Sequence, residues 1–456
     1  MLIESISGIR GVIGAGLNPK KIINYASGFG KWAKEGKIII GRDSRPSGKV
    51  IADLFSNTLA WMGFDVINVG IVPTPTVQFM TEKFQAAGGV VITASHNPFP
   101  WNGIKFISPT GLFLDADQIE KVLNFAKNKE FNFKKSGEFG NISKYLKAIN
   151  DHIENILEIP YLDIKKIRSK HIKVVIDAVN GGGSIALPKL LDALGCEVIK
   201  VNCKPDGYFP HTPEPLPENL TDLLEKVKES KADIGMAVDP DADRLAIVDE
   251  NGNYLSEEYT LVMSLKTVLE KNTISNPVIV TNLSTTLAVD KIADQYEAKV
   301  IRTAIGEINV SKKMKETNSM IGGEGNGGII LPDSHLGRDS LVGAALILQF
   351  LIDGDKKLSE KYEKLPQFKM SKMKTEVGSK SKDRIIENLI NKYKNKNINT
   401  VDGIKITFEN SWVHIRKSNT EPILRVYSEA SKLKDAVELG KRFVAEIGKI
   451  YQPTSS

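Results

Sequence analysis

Cysteine is almost absent from this chain: Cys196 and Cys203 are the only two in 456 residues. Neither a disulfide framework nor a zinc quartet can be built from them, and buried thiols in a reducing compartment is the reading they support. Long apolar runs are lacking too. The longest, Leu341 to Ile352, is interrupted by Gly343 and Gln349; it is too short to span a bilayer and reads as a core helix. Met1-Leu2-Ile3-Glu4-Ser5 shows neither a basic n-region nor an apolar h-region, so no secretory signal is expected and the protein is expected to be cytoplasmic. Charge of one sign is not in excess. A net +6 over this length is mild and suits small anionic substrates. No Arg/Lys patch is interleaved with aromatics, so neither nucleic acid nor membrane is an expected partner. Histidine is scarce, and no Gly-x-Ser-x-Gly elbow occurs, which argues against a serine hydrolase.

What is present is an ordinary soluble composition, 41% hydrophobic and 25% charged, on a chain too long for one core. A phrase of strand, loop, helix and strand occurs three times. It runs through Lys37–Gly41, a helix over Val50 to Met62 and Phe64 to Val69. It returns as Ile172–Ile176, Ile185–Leu194 and Glu197–Val201, then as Val278–Val280, Leu287–Tyr296 and Lys299–Ile301. Three related α/β units follow from that repeat. Ile404–Glu409, Trp412–Arg416 and Ile423–Ala430 read as strands and Leu433–Ile447 as a closing helix, an α+β pattern of a different kind. Lys-rich stretches at Lys127 to Lys135 and Lys356 to Lys382 punctuate the chain. The expected domains are 1–145, 146–250, 251–365 and 366–456.

Each α/β unit offers a second strand that ends in a loop of unusual composition. After Gly88–Ile92 comes Thr93-Ala94-Ser95-His96-Asn97-Pro98, which lifts a hydroxyl onto a strand's carboxyl end, where open α/β sheets bind ligands. Ser95 there is a nucleophile, a phosphate acceptor or a turn residue. His96, as its immediate neighbour, is poorly placed to deprotonate it. After Asp233–Val238 comes Asp239-Pro240-Asp241-Ala242-Asp243-Arg244. Its alternating carboxylates can converge on a hard cation such as Mg2+ or Ca2+. An EF-hand is rejected, since Arg244 stands where that loop needs glycine and Leu245–Val248 reads as a strand. After Asn318–Ile321, Gly322 to Gly328 is a glycine loop carrying Glu324 and Asn326; it is either a sugar-hydroxyl grip or merely flexible. Arg416-Lys417-Ser418-Asn419-Thr420-Glu421-Pro422, with Arg425 beyond, is a phosphate clamp or a turn. Lys105 can exchange protons if neighbouring cations lower its pKa. Arg10, between Gly8 and Gly11, is a further phosphate-binding candidate, its glycines allowing close approach of a ligand. His152, His171, His211, His335 and His414 are assigned to surface or structural roles.

Together these loops resemble the α-D-phosphohexomutase family of phosphoglucomutases, phosphomannomutases and phosphoglucosamine mutases, over nearly the whole chain and in the right order. The resemblance rests on Gly8-Ile9-Arg10-Gly11, Gly41-Arg42-Asp43-Ser44-Arg45, Thr93 to Pro98, Asn102-Gly103-Ile104-Lys105, Asp239 to Arg244, Gly322-Gly323-Glu324 and Arg416 to Pro422. It implies three topologically related αβα domains plus a C-terminal α+β domain around one central cleft. It also implies Ser95 carried as phosphoserine, and one Mg2+ held by Asp239, Asp241, Asp243 and a phosphoryl oxygen on Ser95. The phosphoryl group would pass to a hexose phosphate, forming a 1,6-bisphosphate whose other phosphate returns to Ser95; glucose 1,6-bisphosphate or another hexose bisphosphate would act as activator. Arg10 and Lys105 would flank the serine with His96, Lys105 handling the proton. Arg244, Glu324 and Asn326 would contact the substrate, and Arg416, Ser418, Asn419, Thr420 and Arg425 would hold the non-reacting phosphate.

Two departures stand out. Many bacterial members have serine at Asn326 and histidine at Gly328, and a histidine that often follows a Val-Gly turn is Glu307 here, after Ile305-Gly306. Phosphoglucomutase or phosphomannomutase activity is the expectation, with phosphoglucosamine mutase as the alternative on the same mechanism. A phosphatase on the same residues, and a non-enzymatic sugar-phosphate- or cation-binding protein, are the rivals. The assembly admits a homodimer, with no pattern in the sequence that fixes it.

Overall fold

Runs of β-branched residues set the strands, and their complete burial shows why they alternate so little. In a computed structural model, which describes residues 1–378, 381–418 and 423–450, Ile38–Ile40 and Val90–Ile92 are all fully buried. They belong to a seven-stranded sheet in the order Leu2–Ser5, Gly8–Val12, Trp101–Ile107, Gly88–Ile92, Lys37–Arg42, Asp65–Ile71, Ile142–Lys144. Its centre is parallel and the edge from Trp101–Ile107 outward is antiparallel. Helices Pro19–Ala33, Pro46–Trp61 and Ala116–Asn128 share one core cluster with Ile38, Ile40, Val90 and Ile92. Helix Thr74–Lys83 packs on the central strands through the residues between. Sheets covered on both faces need strands apolar on both sides, which is what the sequence supplies.

The chain divides into two compact units, Met1–Thr273 with Met320–Tyr362, and Ile274–Ser319 with Glu363 onward. The first unit holds the seven-stranded sheet and a four-stranded one, ordered Leu245–Asp249, Ile234–Val238, Lys173–Asp177, Glu197–Val201. In it Ile234–Val238 runs parallel to Lys173–Asp177 and antiparallel to Leu245–Asp249. The Ser95 and Asp239 loops therefore occupy equivalent places, each the turn of an antiparallel hairpin at the end of a buried parallel strand. Helix Ser340–Ile352 is buried almost all round against Glu257–Glu270, as its apolar run requires.

Strand Ile321–Glu324 begins where Asn318–Ile321 was expected to end. Asn318 instead closes a helix, Glu307–Thr317, in the left-handed conformation. Gly322, Gly323 and Glu324 thus pair with Gly328–Ile330 as a tight hairpin, and only Gly325–Gly327 is turn. Gly322, Gly323 and Gly328 are thus strand residues, and the turn is three residues long.

The second unit contains a parallel pair, Val278–Asn282 with Lys299–Thr303. It also has a five-stranded antiparallel sheet ordered Lys369–Glu376, Ile423–Ala430, Ser411–Lys417, Ile404–Thr407, Asn397–Asn399. Lys369–Glu376 lies in a Lys-rich stretch that carries no clear strand signal; it is an edge strand, where lysines are tolerated and protective. One face of this sheet packs on helices Lys382–Tyr393 and Leu433–Ile450 through Val413, Ile415, Leu424 and Phe443. The other presents polar groups to residues 283–287. Lys405 Nζ donates to the Leu283 carbonyl at 2.7 Å, Glu429 Oε2 accepts from Leu287 N at 2.8 Å and from Trp412 Nε1 at 2.7 Å, and Ser284 Oγ lies 2.8 Å from His414 Nδ1.

Burial, helped by Lys405 and Arg416 against the pull of Asp402, lowers the His414 pKa to about 4. Folded His414 is then neutral while the unfolded chain takes up a proton near the ordinary histidine value, so its contribution is lost on acidification between those two points. We expect the wild type to lose on the order of 2 kcal/mol more stability from pH 7 to 4.5 than His414→Gln does, measured by thermal melts at each pH.

Candidate active site

Ser95 has φ +51°, a left-handed conformation at the tip of its loop. Several bonds over-determine that strain. Thr93 Oγ1 accepts from Ser95 N at 2.9 Å and donates to Asp43 Oδ2 at 2.7 Å. Arg45, wholly buried, donates from Nη2 to the Ser95 and Asn97 carbonyls at 2.7 and 2.6 Å. Its Nη1 donates to the Pro98 and Trp101 carbonyls, its Nε to Asp43, and its guanidinium stacks 4.7 Å from the Phe209 ring. Arg45, which ends the Gly41-Arg42-Asp43-Ser44-Arg45 motif, is the scaffold of the serine loop. The left-handed step also breaks strand alternation, so His96 folds back and its Nδ1 lies 3.3 Å from Ser95 Oγ. His96 thus comes near the Ser95 hydroxyl, at a distance long for a hydrogen bond. Burial first, then Arg244 and Arg10, depress its pKa to about 3, so the ring is neutral at ordinary pH.

Asp239, Asp241 and Asp243 are fully buried, which disposes of a solvated acidic turn. Ligand oxygens of the three lie within 4.8 Å of one another. Their loop is closed by its own backbone: Asp239 Oδ1 accepts from Asp243 N and Arg244 N, and Ala242 takes φ +51°. The oxygens divide into two kinds. Asp241 Oδ2 accepts from Lys105 Nζ at 2.6 Å and Thr74 Oγ1 at 2.7 Å, and Asp243 Oδ2 from Arg338 Nη2 at 2.6 Å and Lys105 at 3.4 Å. Asp241 Oδ1 and Asp243 Oδ1 are buried with no hydrogen-bond partner. Orphaned carboxylate oxygens beside a third carboxylate are costly unless a cation takes them, and an oxygen-only set fits a hard divalent ion. Burial and the repulsion of Asp243 and Asp241 push the Asp239 pKa well up. Ser95 Oγ stands 3.4 Å from Asp239 Oδ2, so the hydroxyl and the carboxylate cluster form one site.

Cations surround this cluster. Arg10, on strand Gly8–Val12, donates to Asn97 Oδ1 at 3.0 Å. Gly8 is required by the sheet: a Cβ there would come within 2.4 Å of the Ile104 carbonyl. Arg244 Nε is buried without a hydrogen bond, beside Asp243. Lys105 does not meet the condition set for it, a pKa lowered by neighbouring cations. Burial does oppose its charge, but Asp241 and Asp243 outweigh burial and raise its pKa. Glu324 ends its strand buried, accepting from Arg338 Nη1 at 2.7 Å and, more weakly, Asn326 Nδ2 at 3.4 Å.

Arg416 and Arg425 belong to the second unit, directly opposite each other on adjacent strands, with Lys374 opposite Arg425 on the far side. Arg425 Nη1 donates to Tyr427 Oη at 3.3 Å. Ser418 is buried at the end of its strand, its N–H donating to the Ile423 carbonyl. Asn419 and Thr420 lie outside the described residues. Glu307 starts a helix in this unit, buried.

His152, His335 and Asp339 form a second buried group, with Asp339 Oδ2 at 2.9 and 3.1 Å from the two rings. Gly337 N donates to His335 Nδ1, which leaves the proton on Nε2 facing Asp339, and Asp339 Oδ1 caps helix Ser340–Ile352. Asp339 thus ties both rings to the start of that helix. Among the described residues no helix is long and apolar enough to cross a membrane.

Four consecutive segments match the phosphoglucomutase/phosphomannomutase family: α/β/α domain I over residues 3–133, domain II over 150–252, domain III over 256–368, and the C-terminal domain over 373–447. The chain is 38% identical over 456 residues to a phosphoglucomutase/phosphomannomutase of Thermococcus kodakarensis, with 96% of this chain and 97% of that one covered. It is 30% identical to a phosphoglucosamine/phosphogalactosamine mutase of Sulfurisphaera tokodaii, with 98% of each covered. A crystal structure of a phosphoglucomutase/phosphomannomutase family protein from Burkholderia thailandensis superposes with a TM-score of 0.85 at 26% identity, covering 97% of this chain and 98% of that one.

Proposed function

The chain belongs to the phosphoglucomutase/phosphomannomutase family and is a phosphohexomutase, and on that premise we propose that Ser95 is the phosphoryl carrier that interconverts hexose 1-phosphate and hexose 6-phosphate through a bound 1,6-bisphosphate. The observation that carries this reading is Ser95 Oγ placed 3.4 Å from Asp239 within the three-carboxylate cluster. Asp239, Asp241 and Asp243 would hold Mg2+, which when bound offsets the charge of the transferring phosphoryl group. Arg10 and Arg244 supply further positive charge beside Ser95. Neutral His96, with Nδ1 3.3 Å from Ser95 Oγ, is placed to exchange the hydroxyl proton. Lys105, paired with Asp241 and Asp243, would serve as a cation beside the transferring group. Glu324 and Asn326 would bind the sugar hydroxyls. The opposed Arg416 and Arg425, with Ser418, Asn419 and Thr420, would bind the distal phosphate.

Glucose or mannose phosphate is the proposed substrate class. Glucosamine phosphate is the second reading, favoured by relatives named for amino-sugar phosphates. Coupled assays on glucose, mannose and glucosamine 1-phosphates, with Mg2+ and a primer of glucose 1,6-bisphosphate, decide between them. A higher kcat/KM on the two neutral sugars is expected. Faster turnover of glucosamine 1-phosphate would reverse the assignment, and release of free phosphate without isomer would make the protein a phosphatase.

A further inference from the structure

Arg338 lies outside the motifs of the sequence, yet it joins the Glu324 hairpin to the aspartate loop. Its Nη1 donates to Glu324 Oε2 at 2.7 Å and its Nη2 to Asp243 Oδ2 at 2.6 Å. All three side chains are buried. A guanidinium is suited to this because its separate N–H arms lie in one rigid plane, whereas an ammonium is a single point of charge. Removing the guanidinium would take from each buried carboxylate its shortest charged contact, which is costly in the interior.

The route Arg338 takes to Glu324 passes over Gly328. Glu324 and Gly328 are partners across the hairpin, so a side chain at 328 would project on the same face as Glu324. A Cβ built there would lie 2.3 Å from Arg338 Cδ and 2.9 Å from its Cγ. Those atoms are the middle of the arginine stem, not its free end. The stem and a residue-328 side chain exclude each other.

We propose that Arg338 is a positioning residue that ties the sugar-binding carboxylate of Glu324 to the metal loop at Asp243, and that position 328 is glycine because the arginine stem fills the space of its missing side chain. Arg338 engages Oδ2 of Asp243, and Oδ1 of that residue is the oxygen left without a partner. It thereby fixes which oxygen faces the cation, and the same planar group fixes the direction of Glu324. Movement at either carboxylate is transmitted to the other through one guanidinium. The roles given to Glu324 and Asp243 rest on the mutase reading; the packing of Arg338 against Gly328 does not.

The test is a cycle of four proteins: wild type, Arg338→Ala, Gly328→Ala and the double variant. Each is melted without substrate and assayed for KM and kcat on the preferred hexose phosphate. We expect Gly328→Ala to lower the melting temperature of the wild type and to have no such effect in the Arg338→Ala background, where the stem is gone. Each single variant should raise KM by about tenfold or more, within the range known for groups that orient a binding residue. The double variant should be no worse than Arg338→Ala alone. A purely structural role would reduce the active fraction and leave KM unchanged. Equal destabilisation by Gly328→Ala in both backgrounds, or a folded Arg338→Ala enzyme with unaltered KM, would overturn the proposal. If Arg338→Ala fails to fold, Gly328→Ala alone still decides, since displacing the stem must raise KM. A wild type without mutase turnover would defeat the parent reading, while the melting cycle would still judge the packing.

Discussion

Ser95→Ala should remove mutase turnover by at least ~10³-fold, as loss of a covalent carrier does elsewhere, and should leave the fold intact. The structural half of this expectation follows from the contacts. Ser95 Oγ has two, at 3.3 and 3.4 Å, both long for an O–H donor, so little stability resides in them. The loop is held instead by main-chain bonds to Arg45 and Thr93, which a change to alanine does not touch. The functional half follows from chemistry. A bisphosphate intermediate requires a group that gives up one phosphate and accepts another, and the buried hydroxyl beside the carboxylate cluster is suited to that. A melt within a degree or two of the wild type, with no detectable isomerisation, is the expected pair of results. Turnover within tenfold of the wild type would remove Ser95 from the mechanism.

Asp239→Asn should separate function from stability in the opposite sense. Without a cation, three buried carboxylates face one another, and Asp239 carries the largest burden because burial and both neighbours oppose its charge. Asparagine keeps an oxygen for the Asp243 and Arg244 N–H groups and removes one charge. The metal-free variant should therefore melt higher than the metal-free wild type, while its activity falls by more than the roughly 10–100-fold typical of supporting groups. Addition of Mg2+ should raise the melting temperature of the wild type and not that of the variant, by the mass-action stabilisation a bound ion gives. The trade is the one expected where a site is built for a ligand at the expense of the empty fold. A variant that is less stable without metal, or that still gains stability from Mg2+, would argue against this assignment of the three aspartates.

The parts of the site that lie close together along the chain were legible in the sequence. The serine loop and the aspartate loop each carry their chemistry within six residues and sit between apolar strands that periodicity finds. Arg338 was not legible, because its partners are 14 and 95 residues away and nothing local marks it. Arg45 stood inside a quoted motif, but its work is done on carbonyls about 50 residues further on. The approach of His96 to Ser95 has a local cause: side chains of neighbours diverge on an extended strand, and the left-handed turn at Ser95 brings the two together. The contacts of Lys105 with Asp241 and Asp243 span more than 130 residues, and no local pattern marks them. In the fold, the buried β-branched strands were plain. The glycine-rich strand Ile321–Glu324 and the lysine-bearing edge strand Lys369–Glu376 were hidden, since each violates ordinary strand composition for a reason visible only in three dimensions.

Intact mass of the purified protein, before and after incubation with glucose 1,6-bisphosphate and alongside Ser95→Ala, tests the central claim most directly. A single phosphate-sized increment on the wild type, absent from Ser95→Ala and discharged by hexose 1-phosphate or 6-phosphate with formation of bisphosphate, is the predicted result. The same increment on both proteins, or none on the wild type under any priming condition, would contradict phosphoserine catalysis at Ser95.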